Sequence, residues 1–249
     1  MTTPFPPPRP DAPLVVFDFD HTLYDGDSGG DLVQWLLRRS PLRSLAAILA
    51  SPLLLPLLAF LPTRRAGISG YLWLGTFGLH DYRDLNALIR RYVSDRRDAL
   101  RNALLPTALD VLARHLGAGD RVVIATGAPP ALAQAILAFV ARDAVPVVGS
   151  HEAPRWGGLV TVDHCHNENK LRCLARHGYG DIAVAYSDSS ADLPLLKAAA
   201  HPVVVNPKAS SIAMFRRELG ADTQFLNWGC ASRAGEPVPS TAGVSRPAV

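Results

Sequence analysis

The run Leu14-Val15-Val16-Phe17-Asp18-Phe19-Asp20-His21-Thr22-Leu23 carries two carboxylates and a hydroxyl out of the end of an apolar stretch. Strand side chains alternate faces with period two, so Asp18 and Asp20 share one side while Phe17 and Phe19 take the other. Two acids facing one pocket can attack a substrate, move a proton or hold a cation. In an open α/β sheet that pocket lies beyond the carboxyl ends of the strands, at a switch in strand order. Taken alone, the motif is equally a strand end whose Asp residues serve a turn.

Three downstream fragments add to it. Arg121-Val122-Val123-Ile124-Ala125-Thr126-Gly127 is a second apolar strand, ending in a hydroxyl and a glycine. A hydroxyl with freed backbone amides suits a phosphate. Lys170 follows a turn-rich stretch and is the only lysine between Met1 and Lys197; by itself it is a solvated surface residue. The stretch Asp181 to Asp192 forms a third apolar strand with Asp188 and Asp192 just past its end.

In this order and spacing the four fragments resemble the haloacid dehalogenase superfamily of phosphohydrolases, subfamily IB, over roughly residues 14 to 210. The resemblance implies an α/β, Rossmann-like core with a parallel sheet plus an inserted all-helical type 1 cap. It also implies roles. Asp18 is the nucleophile that becomes an aspartyl phosphate, and Asp20 the general acid and then base. Thr126, Gly127 and Lys170 hold the phosphoryl oxygens, with Lys170 also catalytic in offsetting the Asp18 charge. Magnesium is the implied cofactor, held by Asp18, the backbone carbonyl of Asp20, and Asp188. Thr22 supports the site, and Asp192 orients metal waters or Lys170. Two positions depart from the commonest pattern: His21 and Ser187 stand where glycine is usual.

The elements that must position these groups follow from length and pattern. At 249 residues and 48% hydrophobic, the chain can bury one good core and a smaller accessory domain. Met1 to Pro13 holds six prolines and Ala231 to Val249 is rich in Ser, Pro, Ala and Gly, so both are expected as disordered tails. The phosphatase core then spans 14–27 and 113–230, with a helical cap over 28–112. Within the cap, helices are expected over Asp31 to Arg39, Leu42 to Leu61 with breaks, Ile68 to Phe77 and Asp81 to Leu105.

Other chemistries are poorly supported. Walker A, HExxH and GxSxG motifs are absent. The cluster His164, Cys165, His166 and Cys173 matches no common zinc spacing and is expected to flank Lys170 as loop. Three unevenly spaced cysteines and no secretory layout at the start point to a reducing cytoplasmic setting. A net charge of +3 with scattered arginines makes nucleic acid a poor partner.

Leu45 to Pro62 is eighteen residues without a charge, interrupted by Pro52 and Pro56, and flanked by Arg38, Arg39, Arg43, Arg64 and Arg65. A straight span needs about 20 apolar residues, and equal basic flanks suit a crossing poorly, so an interfacial or re-entrant helical hairpin on an anionic membrane surface is expected. An ordinary buried pair of cap helices is the competing account. Local runs, among them Leu36 to Leu42, Leu74 to Gly78, Arg155 to Gly158 and Tyr186 to Ser189, resemble the bacterial phosphatidylglycerophosphatase C family. That resemblance implies a lipid phosphate monoester, phosphatidylglycerol phosphate, and work at the cytoplasmic face of the inner membrane. The alternatives are a soluble phosphatase of the phosphoserine phosphatase type, with Asp27 at the amine-binding position, and a non-catalytic membrane-binding module.

Overall fold

The computed structural model describes residues 5–9, 11–60 and 63–233. The remainder of both expected tails, and the last two residues of the apolar run, lie outside the described residues. The chain starts with β1 (Leu14–Asp18) and then leaves the sheet for α1 (Ser28–Arg38), α2 (Pro41–Ala59), α3 (Arg64–Thr76), α4 (Tyr82–Asp95) and α5 (Arg97–Asn102). It returns through α6 (Pro106–Gly117), β2 (Arg121–Ala125), α7 (Pro130–Leu137) and β3 (Val147–Val148). The hairpin of β4 (His151–Arg155) and β5 (Gly158–Asp163) precedes α8 (Asn169–Arg176), β6 (Ile182–Ser187) and α9 (Leu193–Ala198). Last come β7 (His201–Val205), α10 (Ala209–Leu219) and β8 (Gln224–Leu226).

Six strands form one parallel sheet in the order β3-β2-β1-β6-β7-β8. Strand order reverses at β1, so the carboxyl ends of β1, β2 and β6 share the switch point where ligands bind in such sheets. Both sheet faces are covered, which is why the strands are apolar throughout. Val15 and Phe17 pack with Ile124, Val184 and Tyr186 against α6 and α7, while Leu14 and Val16 pack with Val123 and Ala185 against α8, α9 and α10. Phe17 stacks on Tyr186 at 4.5 Å between ring centroids. Burying each such aromatic contributes about 1.5–3 kcal/mol.

The cap enters and leaves at one joint. The Asp25 amide donates to the Ala103 carbonyl at 2.7 Å, and the Leu105 amide to the Leu23 carbonyl at 2.9 Å. The expected boundary at 112 therefore falls inside α6, which follows the joint and packs on β2. The single helix expected over Asp81 to Leu105 is two, because the backbone leaves helical geometry at Arg96.

Helix α2 differs most from expectation: it runs unbroken through Pro52 and Pro56. Only Ala47 of α2 is buried, so solvent can take up carbonyls left without an N–H partner. Helix α3 lies tight beneath it. A Cβ on Gly67 would sit 2.8 Å from Leu58 Cδ2, and one on Gly70 2.7 Å from Leu54 Cδ2.

The cap is not purely helical in its surroundings. The β4–β5 hairpin, for which the sequence carries no expectation, docks on α3 from the core side. Trp73 Nε1 donates to the Arg155 and Trp156 carbonyls at 3.1 and 3.2 Å, and the Leu159 amide donates to Thr76 Oγ1 at 2.9 Å. Its two-residue turn has both Trp156 and Gly157 at positive φ, 49° and 80°, as a tight hairpin requires. The expected second tail also begins too early: Ala231–Arg233 is a 3-10 turn fixed to the core.

Gly149 sits where the chain passes the Ala128 carbonyl; an added Cβ would lie 2.5 Å from that oxygen and 2.9 Å from Pro130. Gly149→Ala should cost about 1–3 kcal/mol, the range for overpacking, and lower the thermal midpoint by roughly 2–10 °C. An unchanged midpoint by calorimetry would show that this loop gives way freely.

Candidate active site

At the end of β1 the Phe19 carbonyl accepts the amides of Thr22, Leu23 and Tyr24 at 3.2, 2.8 and 3.0 Å, folding the motif into a tight loop. The fold needs a left-handed residue there, and His21 supplies it at φ 57°. That conformation costs a non-glycine residue about 1–2 kcal/mol. The Asn206 side-chain amide, donating to the His21 carbonyl at 2.8 Å, helps hold it.

Asp18 is buried between two donors: Lys170 Nζ at 2.6 Å on Oδ1 and Thr22 Oγ1 at 3.2 Å on Oδ2. Lys170 shares a face of α8 with Cys173 and Leu174, which anchor that face in the core. Its ammonium, 1% exposed, also reaches Asp192 Oδ2 at 2.6 Å. Asp192 thus orients Lys170. Ser187, the second departure from glycine, donates to the same Asp192 oxygen at 2.8 Å. Asp20 Oδ1 accepts the Ser28 amide at 2.9 Å.

Asp18, Asp20, Gly127, Lys170, Asp188 and Asp192 line one cavity of about 1010 Å³. Thr126 is buried at the end of β2 and does not line it; its hydroxyl oxygen accepts the Ala128 amide at 3.1 Å, and Gly127 and Ala128 form the wall. His164 and His166 line the cavity too, whereas the Cys165 and Cys173 side chains lie in the core. From the cap come Val33 and Leu37 of α1, Leu58 of α2, and Arg64, Arg65, Ile68 and Tyr71 of α3. Three residues carried no sequence signal for this site: Lys208, Arg233 and the Ser28 amide. Arg233 donates to Asp188 Oδ2 at 2.7 Å.

The electrostatics divide the carboxylates. Burial, partly offset by Lys170, raises Asp18 to about 6. Burial and the neighbouring Asp27 push Asp20 up to about 8. Burial and the nearby Asp18 bring Asp188 to about 8 despite Arg233. Burial alone would lower the Lys170 ammonium, but Asp18 and Asp192 raise it above its usual value, so it stays charged. Burial lowers both His164 and His166, leaving neutral rings rather than cations.

These residues fit a hard divalent cation. The donors around Asp18, Asp20 and Asp188 are all oxygen, their carboxyls are crowded enough to resist ionising, and the buried Asp192 Oδ1 has no hydrogen-bond partner among the described residues. A cation there would relieve that surplus of acid.

The profile of the haloacid dehalogenase-like hydrolase family matches residues 15–197. Among solved structures, a protein of unknown function from Bordetella pertussis Tohama I superposes with TM-score 0.63 at 24% identity, covering 86% of this chain and 98% of that one. A HAD family hydrolase from Salmonella enterica serovar Typhi gives TM-score 0.51 at 19% identity, covering 83% and 67%. A phosphoserine phosphohydrolase-like protein from Francisella tularensis SCHU S4 gives 0.55 at 14% identity, covering 88% and 97%. Identities this low establish the shared fold.

Raised carboxyl values tie stability to pH. Asp18, Asp20 and Asp188 bind protons more tightly folded than unfolded, so without divalent cation stability falls as pH rises from about 4 to about 8. Magnesium should therefore raise the thermal midpoint more at pH 8 than at pH 5. Equal increments at both values would separate the cation from these acids.

Proposed function

Because the chain belongs to the haloacid dehalogenase-like hydrolases, we propose that it is a magnesium-dependent phosphomonoesterase working through an aspartyl phosphate, with a lipid-borne phosphate as substrate. The observation that carries the chemistry is the contrast in partners: Asp18 bonds the buried Lys170 ammonium at 2.6 Å, which favours its anion, whereas Asp20 accepts the Ser28 amide and lies near Asp27, which favours its acid form. Two carboxyls pushed apart in this way take opposite roles at neutral pH, one as anion and one as acid. Asp18 attacks phosphorus as its bond to the leaving oxygen breaks, and Asp20 gives its proton to that oxygen. Water then attacks the acyl phosphate, Asp20 takes back a proton, and inorganic phosphate leaves with Asp18 restored. Lys170, held between Asp18 and Asp192, offsets the charge of nucleophile and phosphate, while Gly127 and Ala128 form the cavity wall and Thr126 braces that wall from behind through the Ala128 amide. Magnesium, held by Asp18, Asp188 and the Asp20 carbonyl, would neutralise phosphate charge.

The lipid assignment rests on the cap. Leu42, Leu45, Ile48, Leu49, Leu53 and Leu55 of α2 are exposed, as is Phe60 just beyond it. A contiguous apolar face of this kind marks a surface that meets a partner or membrane. The same helix sends Leu58 into the catalytic cavity beside Ile68 and Tyr71, so the apolar face and the phosphate site share one wall. By length and composition α2 could cross a membrane. Its tight seat on α3 supports lying in the interface instead. Of the flanking arginines, Arg43 is committed to the Gly75 and Phe77 carbonyls and Arg64 to the Leu58 carbonyl. The cavity also sits at the upper end of the roughly 300–1,000 Å³ that encloses drug-sized ligands, ample for more than a small metabolite. Together with the sequence resemblance to phosphatidylglycerophosphatase C, this supports phosphatidylglycerol phosphate, hydrolysed at the cytoplasmic face of the inner membrane.

A soluble phosphomonoester of the phosphoserine type is the second reading. It is favoured by Asp27, which lines the cavity, and by the name of the Francisella relative. Asp27 also caps α1 by accepting the Gly30 amide at 2.8 Å, which already occupies one of its oxygens.

Two measurements test these assignments. In single-turnover kinetics Asp20→Asn should slow alcohol release from an alkyl phosphate by about 10²–10⁴-fold, and nitrophenolate release from p-nitrophenyl phosphate far less, because nitrophenolate leaves unprotonated. Equal losses would remove Asp20 from the acid role. Released phosphate from phosphatidylglycerol phosphate in mixed micelles should exceed that from phosphoserine. Ser at Leu49 and Leu53, which are 72% and 71% exposed, should release the protein from anionic vesicles; preference for phosphoserine with unchanged vesicle binding favours the soluble reading.

A further inference from the structure

Beside Asp188 the catalytic cavity continues into a side chamber of about 220 Å³. Its wall carries three cations, Arg64, Lys208 and Arg233, and three serines, Ser189, Ser190 and Ser211. Asp188 is the only acid on that wall among the described residues, and Arg233 already pairs with it. The only apolar side chain there is Ala191. A small chamber lined this way repels cations and gives an apolar group nothing to pack on, whereas an oxyanion finds donors and opposite charge.

Each cation has donors to spare. Arg233 spends one Nη on Asp188, and its buried Nε has no hydrogen-bond partner among the described residues. Lys208 is exposed and forms no ion pair among the described residues, standing at the N-cap of α10, where the helix dipole adds the same sign. Among the described residues, the Arg64 side chain bonds only a carbonyl, that of Leu58. Ser189 Oγ accepts the Ala191 amide at 3.2 Å, which leaves its own proton to donate.

The position of Arg233 is built. The turn Ala231–Arg233 is held by Asp25, whose carboxylate accepts the Ala231 and Ser232 amides at 2.7 and 3.1 Å. Asp25 sits at the joint between core and cap, so the end of the described chain is pinned where it delivers a guanidinium beside the catalytic acids.

We propose that this chamber is a second anion subsite, holding a phosphodiester, phosphate or carboxylate carried by the same substrate whose monoester phosphate lies at Asp18 and Lys170. The assignment rests on the phosphomonoesterase reading and extends it: the preferred substrate carries two anionic groups. Shared walls make the linkage physical, since Asp188, Ser189, Lys208 and Arg233 line both spaces. An anion tethered to the ester enters the chamber as an intramolecular event, and its contacts add to affinity without a second encounter.

Two substrate pairs test it: propyl phosphate against propane-1,3-diyl bisphosphate, and phosphatidic acid against phosphatidylglycerol phosphate in mixed micelles. Within each pair the doubly anionic member should show a KM lower by about tenfold or more, the return on one or two charge-assisted hydrogen bonds. Lys208→Gln and Arg233→Gln should shrink that ratio several-fold, and Arg233→Lys should restore part of it. Equal KM values within both pairs, or variants that weaken both members alike, overturn the subsite. An advantage in the soluble pair with poor turnover of both lipids keeps the subsite and removes the lipid. If no ester is hydrolysed, the phosphomonoesterase reading fails, and calorimetry with inorganic phosphate decides the chamber. Two phosphates per wild-type chain and one in the Lys208→Gln, Arg233→Gln double variant sustain it; one in both proteins overturns it.

Discussion

An ammonium removed from water and clamped between two carboxylates holds this site together. Lys170 Nζ lies 2.6 Å from both Asp18 and Asp192, and all three groups are buried. Removing one member of a buried ionic group costs about 3–5 kcal/mol, because the remaining charges keep their desolvation penalty without a partner. The three residues come from three elements: the end of β1, the first turn of α8 and the 3-10 turn after β6. Their convergence requires β1 and β6 to be adjacent at the switch point and requires the hairpin to end where α8 begins. Core packing and catalysis are therefore constrained by the same contact.

That contact also produces the asymmetry on which the chemistry depends. Asp18 and Asp20 are two residues apart and face the same cavity, yet only Asp18 touches Lys170; Asp20 has an amide and a neighbouring acid. A cation on one carboxyl and a like charge near the other move their protonation in opposite senses from the shared effect of burial. The side chamber continues the pattern. Lys170 stands beside Asp18, and Arg233 with Lys208 surrounds the neighbouring space.

Much of this was legible in the sequence because it is local. Asp18, Asp20, Asp188 and Asp192 each follow an apolar strand, and strand ends are where such sheets place chemistry. His21 and Ser187 stood out as departures from glycine, but only coordinates explain them: one fills a left-handed position, and the other uses its hydroxyl on Asp192. The signals that failed were non-local or context-dependent. Nothing near Arg233 marks it, since its role depends on Asp25 more than two hundred residues earlier. The prolines of α2 read as breaks because proline disfavours a buried helix interior, and this helix is exposed. The β4–β5 hairpin was missed because β4 is polar and carries a proline, and the pair gains stability from the distant Trp73 and Thr76 of the cap.

The cap's attachments say how a bulky substrate must enter. Paired linkers at Leu23 to Asp25 and Ala103 to Leu105 fix it at one end, and the core hairpin grips α3 through Trp73, Thr76 and the Gly78 amide at the other. A cap held at both ends cannot swing away as a rigid lid without breaking hydrogen bonds to the core. At the tip of the α2–α3 pair, Leu58, Arg64 and Ile68 line the cavity. Long side chains there can change rotamer at little cost, whereas at Gly67 and Gly70 α2 and α3 are packed too closely to admit even a Cβ between them. The apolar face of α2 runs up to the same tip. A phosphate borne by a lipid would thus reach Asp18 past the one part of the cavity wall already continuous with the apolar surface.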